Sequence, residues 1–306
     1  MKGIINLLKP PRMTSHDVVD KVRKKLKLKK VGHTGTLDPG ACGVLPITIG
    51  KATKVSDFII NTNKEYIFEL TPGISTDTLD DEGAVVEKRP VTKENISELI
   101  RTYQDFIGTC YQSPPMYSAI KKKGKKLYEY ARAGETVARE KREVKIFDLK
   151  ILDRYTLKDM ERFLFKVECS KGTYIRVLAE DLARKAGTAG YMSFLLRTGT
   201  GDFRIENSVR LEDFVNQPYG DKLKKYILPM DKALMDFPYI ILDSRQSKMF
   251  VNGNLVKYEN DQIYGRKDEN YCSGALFYRV YDLENYFLGL GKIMDQQKIK
   301  PEKVLV

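Results

Sequence analysis

Residues 31–50 read VGHTGTLDPGACGVLPITIG. Gly32, Gly35, Gly40 and Gly43 punctuate a segment too glycine-rich for a helix and too irregular for a plain strand, which predicts a shaped loop. Inside it Asp38 stands between Leu37 and Pro39, five residues after His33. Pro39 biases Asp38 toward an extended backbone, and the glycines allow a bulky ligand to approach closely, so a presented carboxylate is expected. Leu-Asp-Pro by itself reads more readily as a turn initiator than as a catalytic group. A phosphate-binding reading fails, because Ala52 follows Gly50-Lys51 where a Ser or Thr is needed, and Leu45 occupies the first glycine position. There is no G-x-G-x-x-G either, so a nucleotide cofactor is not supported.

Upstream, Thr14 and Asp17 have capping-box spacing, and Val18, Val22 and Leu26 then share one helical face opposite Lys21, Arg23, Lys24, Lys25 and Lys27. Downstream, residues 65–70 and 162–169 read as strands. The second sets Phe163, Phe165, Val167 and Cys169 against Arg162, Lys166 and Glu168, and one wet face implies an antiparallel or mixed sheet. Ser170-Lys171-Gly172-Thr173 makes a turn, and Leu178, Leu182 and Ala186 predict a helix ending at Gly187. Tyr174 and Arg176 fall where strand passes into helix. Residues 112–143, with few apolar repeats and a lysine cluster at 121–126, read as a mobile basic excursion.

The chain has 306 residues, so one large domain with a smaller one appended is the natural division. Short β-like pieces at 239–242, 275–280 and 286–290 place a small, mostly β unit from about Phe237. Lys and Arg number 53 against 41 Asp and Glu, a net charge of +12 that attracts a polyanion, nucleic acid first of all. The four dispersed cysteines fit a reducing compartment, and with only His16 and His33 present no metal site is expected. Neither a signal segment nor a membrane-length apolar run is found, which predicts a cytoplasmic protein with no membrane partner.

The segment GHTGTLDPGACGVLP closely resembles the signature of the TruB family of tRNA pseudouridine synthases. The resemblance continues through 3–30, 64–83, 112–121, 169–182 and 195–198, in order along the first domain. It implies an α/β (α+β) pseudouridine synthase fold over 1–236, with a mixed, largely antiparallel sheet and a basic RNA-binding excursion at about 112–143. A PUA-like RNA-binding domain is implied over 237–306. By the same resemblance Asp38 is the nucleophile, Arg176 its partner, and His33, Tyr66, Tyr174 and Leu195 bind the extruded uridine. Pro72, Ala183 and Leu196 depart from the usual pattern.

The implied reaction turns uridine 55 in the tRNA T-loop into pseudouridine, with no change in redox state and no atom added, so no cofactor or metal is demanded. An ionised carboxylate suits it, either attacking the sugar or removing a sugar proton; the sequence leaves both open. A charged Asp38 in a dry pocket needs a fixed cation, which Arg176 supplies. Aromatic surfaces grip an extruded base, and Tyr66 is also a candidate to take the C5 proton. The implied partner is the tRNA T-arm, bound by a monomer without a protein partner. The competing reading is a non-catalytic tRNA-binding or remodelling protein, which would have no use for Asp38, Tyr66 and Arg176 together.

Overall fold

The computed structural model describes residues 1–122, 124–264, 277–294 and 297–306. Lys123, Cys272 and the first two residues of the strand expected at 275–280 lie outside them. One mixed sheet forms the body. Its main strands are β1 (Gly3–Lys9), β2 (Val31–His33), β3 (Cys42–Ile49), β4 (Lys64–Pro72), β5 (Gly108–Gln112), β6 (Arg142–Leu157), β7 (Met160–Cys169) and β8 (Gly190–Thr200). They lie in the order β1-β3-β8-β4-β7-β6-β5, with β2 paired to β3. Every one of these pairings is antiparallel except β3 with β8. The expected mixed, largely antiparallel sheet is therefore the one observed.

Among the helices packed on it, two position the site. Helix α1 (Ser15–Leu26) starts at the predicted box, Thr14 accepting from the Asp17 amide and Asp17 from the Thr14 amide, and buries Val18, Val22 and Leu26. Helix α2 (Ile175–Lys185) packs Leu178, Leu182 and Ala186 with Phe68, Phe163, Phe165 and Val167 of the sheet. The alternation read in β7 is thus a core face, and Phe68 stacks on Phe165 with ring centres 5.1 Å apart.

Where β3 meets β8, Gly43, Arg197 and Tyr66 form one row across three strands. Gly43 has φ +119°, and a Cβ there would collide with the Arg197 backbone. Gly43→Ala is therefore expected to lower unfolding free energy by at least about 2 kcal/mol, measured by urea titration, from strain and from separation of the two parallel strands.

The excursion between β5 and β6 has more order than its composition suggests. It folds a short hairpin, Lys121–Lys122 against Lys125–Lys126, and a helix, Leu127–Arg132. Local polar contacts replace the missing apolar periodicity: the Lys126 amide donates to Glu129, and the Tyr130 hydroxyl to the Lys122 carbonyl. Beyond it, a second sheet of six strands includes Tyr239–Leu242, Phe277–Asp282, Phe287–Met294 and Lys298–Val304. Phe58 packs edge-on to both Phe237 and Phe277, seating this sheet on the body.

Candidate active site

The glycine-rich segment leaves β2, turns through Asp38 and enters β3, and it is clamped from behind. The Ser15 hydroxyl, at the first residue of α1, accepts from the Leu37 amide at 2.9 Å and donates to the Leu37 carbonyl at 3.2 Å. Lys9 at the end of β1 is fully buried, and its ammonium donates to the carbonyls of Pro10, Met13 and Pro39. Burial pushes that ammonium down to about 8, opposed by Cys42 and Asp38. Arg197, 1% exposed, donates to the carbonyls of Val44 and Gly35. The loop is thus held at both ends and at its apex, and Asp38 is carried on a rigid frame.

Asp38 opens onto a cavity of about 640 Å³ whose wall includes Tyr66, Ser118, Tyr174, Arg176, Leu195 and Arg197. Arg176, on the first turn of α2 and 4% exposed, brings Nε to 3.1 Å from Asp38 Oδ2 and Nη1 to 3.2 Å from Asp80 Oδ2. Its remaining donors reach the carbonyls of Thr78 and Tyr117, each at 2.9 Å. One guanidinium fork is engaged by two carboxylates and two carbonyls, a geometry an ammonium cannot reproduce.

The electrostatic balance at Asp38 differs from the sequence expectation. Its side chain keeps 38% of its surface accessible. The surrounding protein nevertheless makes desolvation the largest influence and holds the carboxyl above its ordinary value; Arg176 pulls it down and Asp80 pushes it up. Arg176 offsets only part of the cost because it is shared. Asp80, 8% exposed, had no role in the sequence reading; it accepts from the Thr78 hydroxyl and the Glu82 amide. The signal for it was the acidic run Asp80-Asp81-Glu82, whose proximity to Arg176 is a tertiary fact.

Of the other residues singled out, Tyr66 and Leu195 are buried in the wall. Burial pushes the Tyr66 hydroxyl up to about 12, against the nearby Arg197 guanidinium. Tyr174 precedes α2, and Gln112 grips its backbone, accepting from the Tyr174 amide at 2.9 Å and donating to its carbonyl at 3.3 Å. His33 is the exception: it sits on β2 and is not among the residues lining the cavity. It lies edge-on to His16, ring centres 5.2 Å apart, with a buried Nδ1 that has no partner. Burial, helped by His16 and Arg197, pushes it down to about 4, so it is neutral near pH 7. Among the described residues no cluster of three or more His, Cys, Asp or Glu is placed to hold a metal, and no helix is long and apolar enough to cross a membrane.

Comparison with known proteins bears on what this arrangement does. Residues 23–175 match the TruB family pseudouridylate synthase N-terminal domain. Residues 176–235 match the tRNA pseudouridylate synthase B C-terminal domain, and 238–305 the pseudouridine synthase II TruB C-terminal domain. A tRNA pseudouridine synthase B from Alkaliphilus oremlandii is 45% identical over 97% of this chain and 94% of its own length. Another, from Caldanaerobacter subterraneus, is 42% identical over 99% of this chain and 98% of its own. Among solved structures, a Cbf5-Nop10-Gar1 complex aligns with a TM-score of 0.74 at 27% identity, covering 99% of this chain and 85% of that one. Matches that run in order along the chain and take in nearly the full length of its relatives agree with the loop, the row of strands and the Asp38–Arg176 pair: the chain belongs to the TruB family of pseudouridylate synthases.

Proposed function

We propose that the chain converts uridine 55 in the T-loop of tRNA to pseudouridine in the Asp38 cavity. The single observation that carries this reading is the Asp38 carboxylate, paired with a buried arginine at 3.1 Å and opening onto a cavity flanked by Tyr66 and Tyr174. The N1–C1′ bond breaks, the uracil turns over, C5 bonds to C1′, and the hydrogen on C5 is replaced by one on N1. Asp38 is the group that acts on the sugar. Arg176 is the group that keeps Asp38 ionised and aimed. Tyr66 and Leu195 hold the ring, and the Tyr66 hydroxyl is the candidate acceptor of the C5 proton; Tyr174 walls the other side. His33, one strand away, contacts the RNA where the extruded base has left its stack.

The cations at the cavity rim, among them Arg142 and Lys171, and the lysines of the excursion and of α1 are read as phosphate contacts that supply affinity without sequence specificity. The unit from about residue 237 is read as a PUA-like RNA-binding domain. The T-arm is the proposed contact, bound by a monomer that needs no protein partner, and the cytoplasm is the proposed compartment.

Incubating an unmodified tRNA transcript with the protein and mapping pseudouridine by carbodiimide adducts is expected to give one reverse-transcription stop, at position 55. A stop elsewhere reassigns the target, and no stop despite RNA binding favours a non-catalytic binder. The raised carboxyl of Asp38 has a further consequence. Single-turnover rate is expected to climb with pH through an apparent pKa above the ordinary aspartate value of about 3.9. A rate that is flat down to pH 4 would show that ionised Asp38 is not what limits the reaction.

A further inference from the structure

Ser118 is 6% exposed, lines the Asp38 cavity, and its hydroxyl has no hydrogen-bond partner. Among the described residues, the other buried side-chain atoms left unpaired belong to Asn6, His33, Arg162, Thr188 and Thr200, none of which lines this cavity. An orphaned buried hydroxyl on a binding wall is a standing cost that a ligand's polar group relieves. The Tyr174 side chain lies beside it: burial pushes that hydroxyl up and the nearby Ser118 opposes the rise, but no hydrogen bond of good geometry joins the two.

The position of Ser118 is fixed from both sides. Its carbonyl accepts from the Tyr128 amide at 3.1 Å, and its amide donates to the Met116 carbonyl at 2.9 Å. The preceding carbonyl, that of Tyr117, accepts from Arg176, the same guanidinium that holds Asp38. Ser118 is thereby indexed to the nucleophile through one side chain. Two of the cations on this wall are already committed to protein acceptors: Lys64 to the carbonyls of Ile60 and Thr62, Arg197 to those of Val44 and Gly35.

We infer that Ser118 donates a hydrogen bond to a carbonyl oxygen of the bound uracil, holding the ring before cleavage and after it turns. The inference rests on the cavity being the uracil site. Turning uracil about its N3···C6 axis exchanges N1 with C5 and also O2 with O4, so a donor that faces O2 in the substrate faces O4 in the product. Between the two states the ring carries the electron pair of the broken N1–C1′ bond, with charge shared onto O2 and O4. A hydrogen bond to either oxygen strengthens as that charge develops, which is the condition for accelerating the step. The partner is thus the ring edge of uracil itself, and Ser118 is a base-contacting residue.

The test uses T-arm stem-loops with uridine, 2-thiouridine or 4-thiouridine at the target, since sulfur accepts hydrogen bonds poorly. Single-turnover rates and RNA affinities are measured for the wild type, Ser118→Ala and Ser118→Thr. Ser118→Ala is expected to slow uridine isomerisation about tenfold or more with RNA affinity unchanged, and Ser118→Thr, which keeps the hydroxyl, to recover most of the rate. The decisive readout is the thio penalty, which should be smaller in Ser118→Ala than in the wild type. Equal penalties in the two proteins, or an unchanged uridine rate in Ser118→Ala, would overturn the inference; a wild type inactive on uridine would instead overturn the reading of the cavity.

Discussion

Asp38→Asn is expected to slow turnover by about four orders of magnitude or more, the scale seen when a nucleophile is removed from an intact site. The neutral amide is a near-isostere, so the loop clamp from Ser15, Lys9 and Arg197 stays in place. Affinity for tRNA should be unchanged or slightly tighter, because phosphate contacts dominate it and one negative charge has gone. Stability should rise. The folded carboxyl lies above its unfolded value, so the folded state holds more protons between the two values and loses stability as pH rises through that window. At neutral pH the charge is a net cost that asparagine removes, and the melting temperature should increase modestly. A fall in melting temperature would mean that the Arg176 pairing outweighs the burial of Asp38.

Arg176→Met has the opposite signature. Two carboxylates, Asp38 and Asp80, lose the cation between them, and the carbonyls of Thr78 and Tyr117 lose a donor. Removing one partner of a buried charge cluster costs about 3–5 kcal/mol, read as a shift in the urea midpoint at pH 7.5. Lowering the pH to 5 should restore much of that loss, because the carboxylate pair can then take up a proton; the wild type should gain less over the same interval. Activity is expected to fall by about a hundredfold to a thousandfold at pH 7.5. Arg176→Lys should recover part of the stability but little of the rate, since an ammonium cannot reach four acceptors lying in fork geometry. Equal urea midpoints for wild type and Arg176→Met would contradict the account of the site.

The residues legible in the sequence are those whose local context carries the information. Asp38 is announced by the glycines and proline around it and α1 by its capping box; the turn before α2 gives Arg176 its place, while its role comes from the family resemblance. The alternation in β7 was enough to predict a mixed or antiparallel sheet, because one face of that strand is buried against α2. Asp80, Arg197 and Ser15 were not legible as parts of the site. Their roles exist only once β8 lies beside β3, Asp80 reaches Arg176, and the start of α1 reaches Leu37. The uridine-contacting role of His33 rests on the resemblance alone; the fold sets its ring edge-on to His16, and it is not among the residues lining the cavity. The elements of the excursion at 112–143 were illegible for another reason, because a hairpin and a helix of six residues held by local polar contacts leave no hydrophobic period to read.

The most direct measurement of the central claim is tritium release from a T-arm stem-loop labelled at C5 of the target uridine, with chelator present and no metal or nucleotide added. The account predicts one tritium released per RNA with the wild type and none with Asp38→Asn, at equal RNA affinity. Tight binding by both proteins with release from neither, or equal release from both, would contradict it.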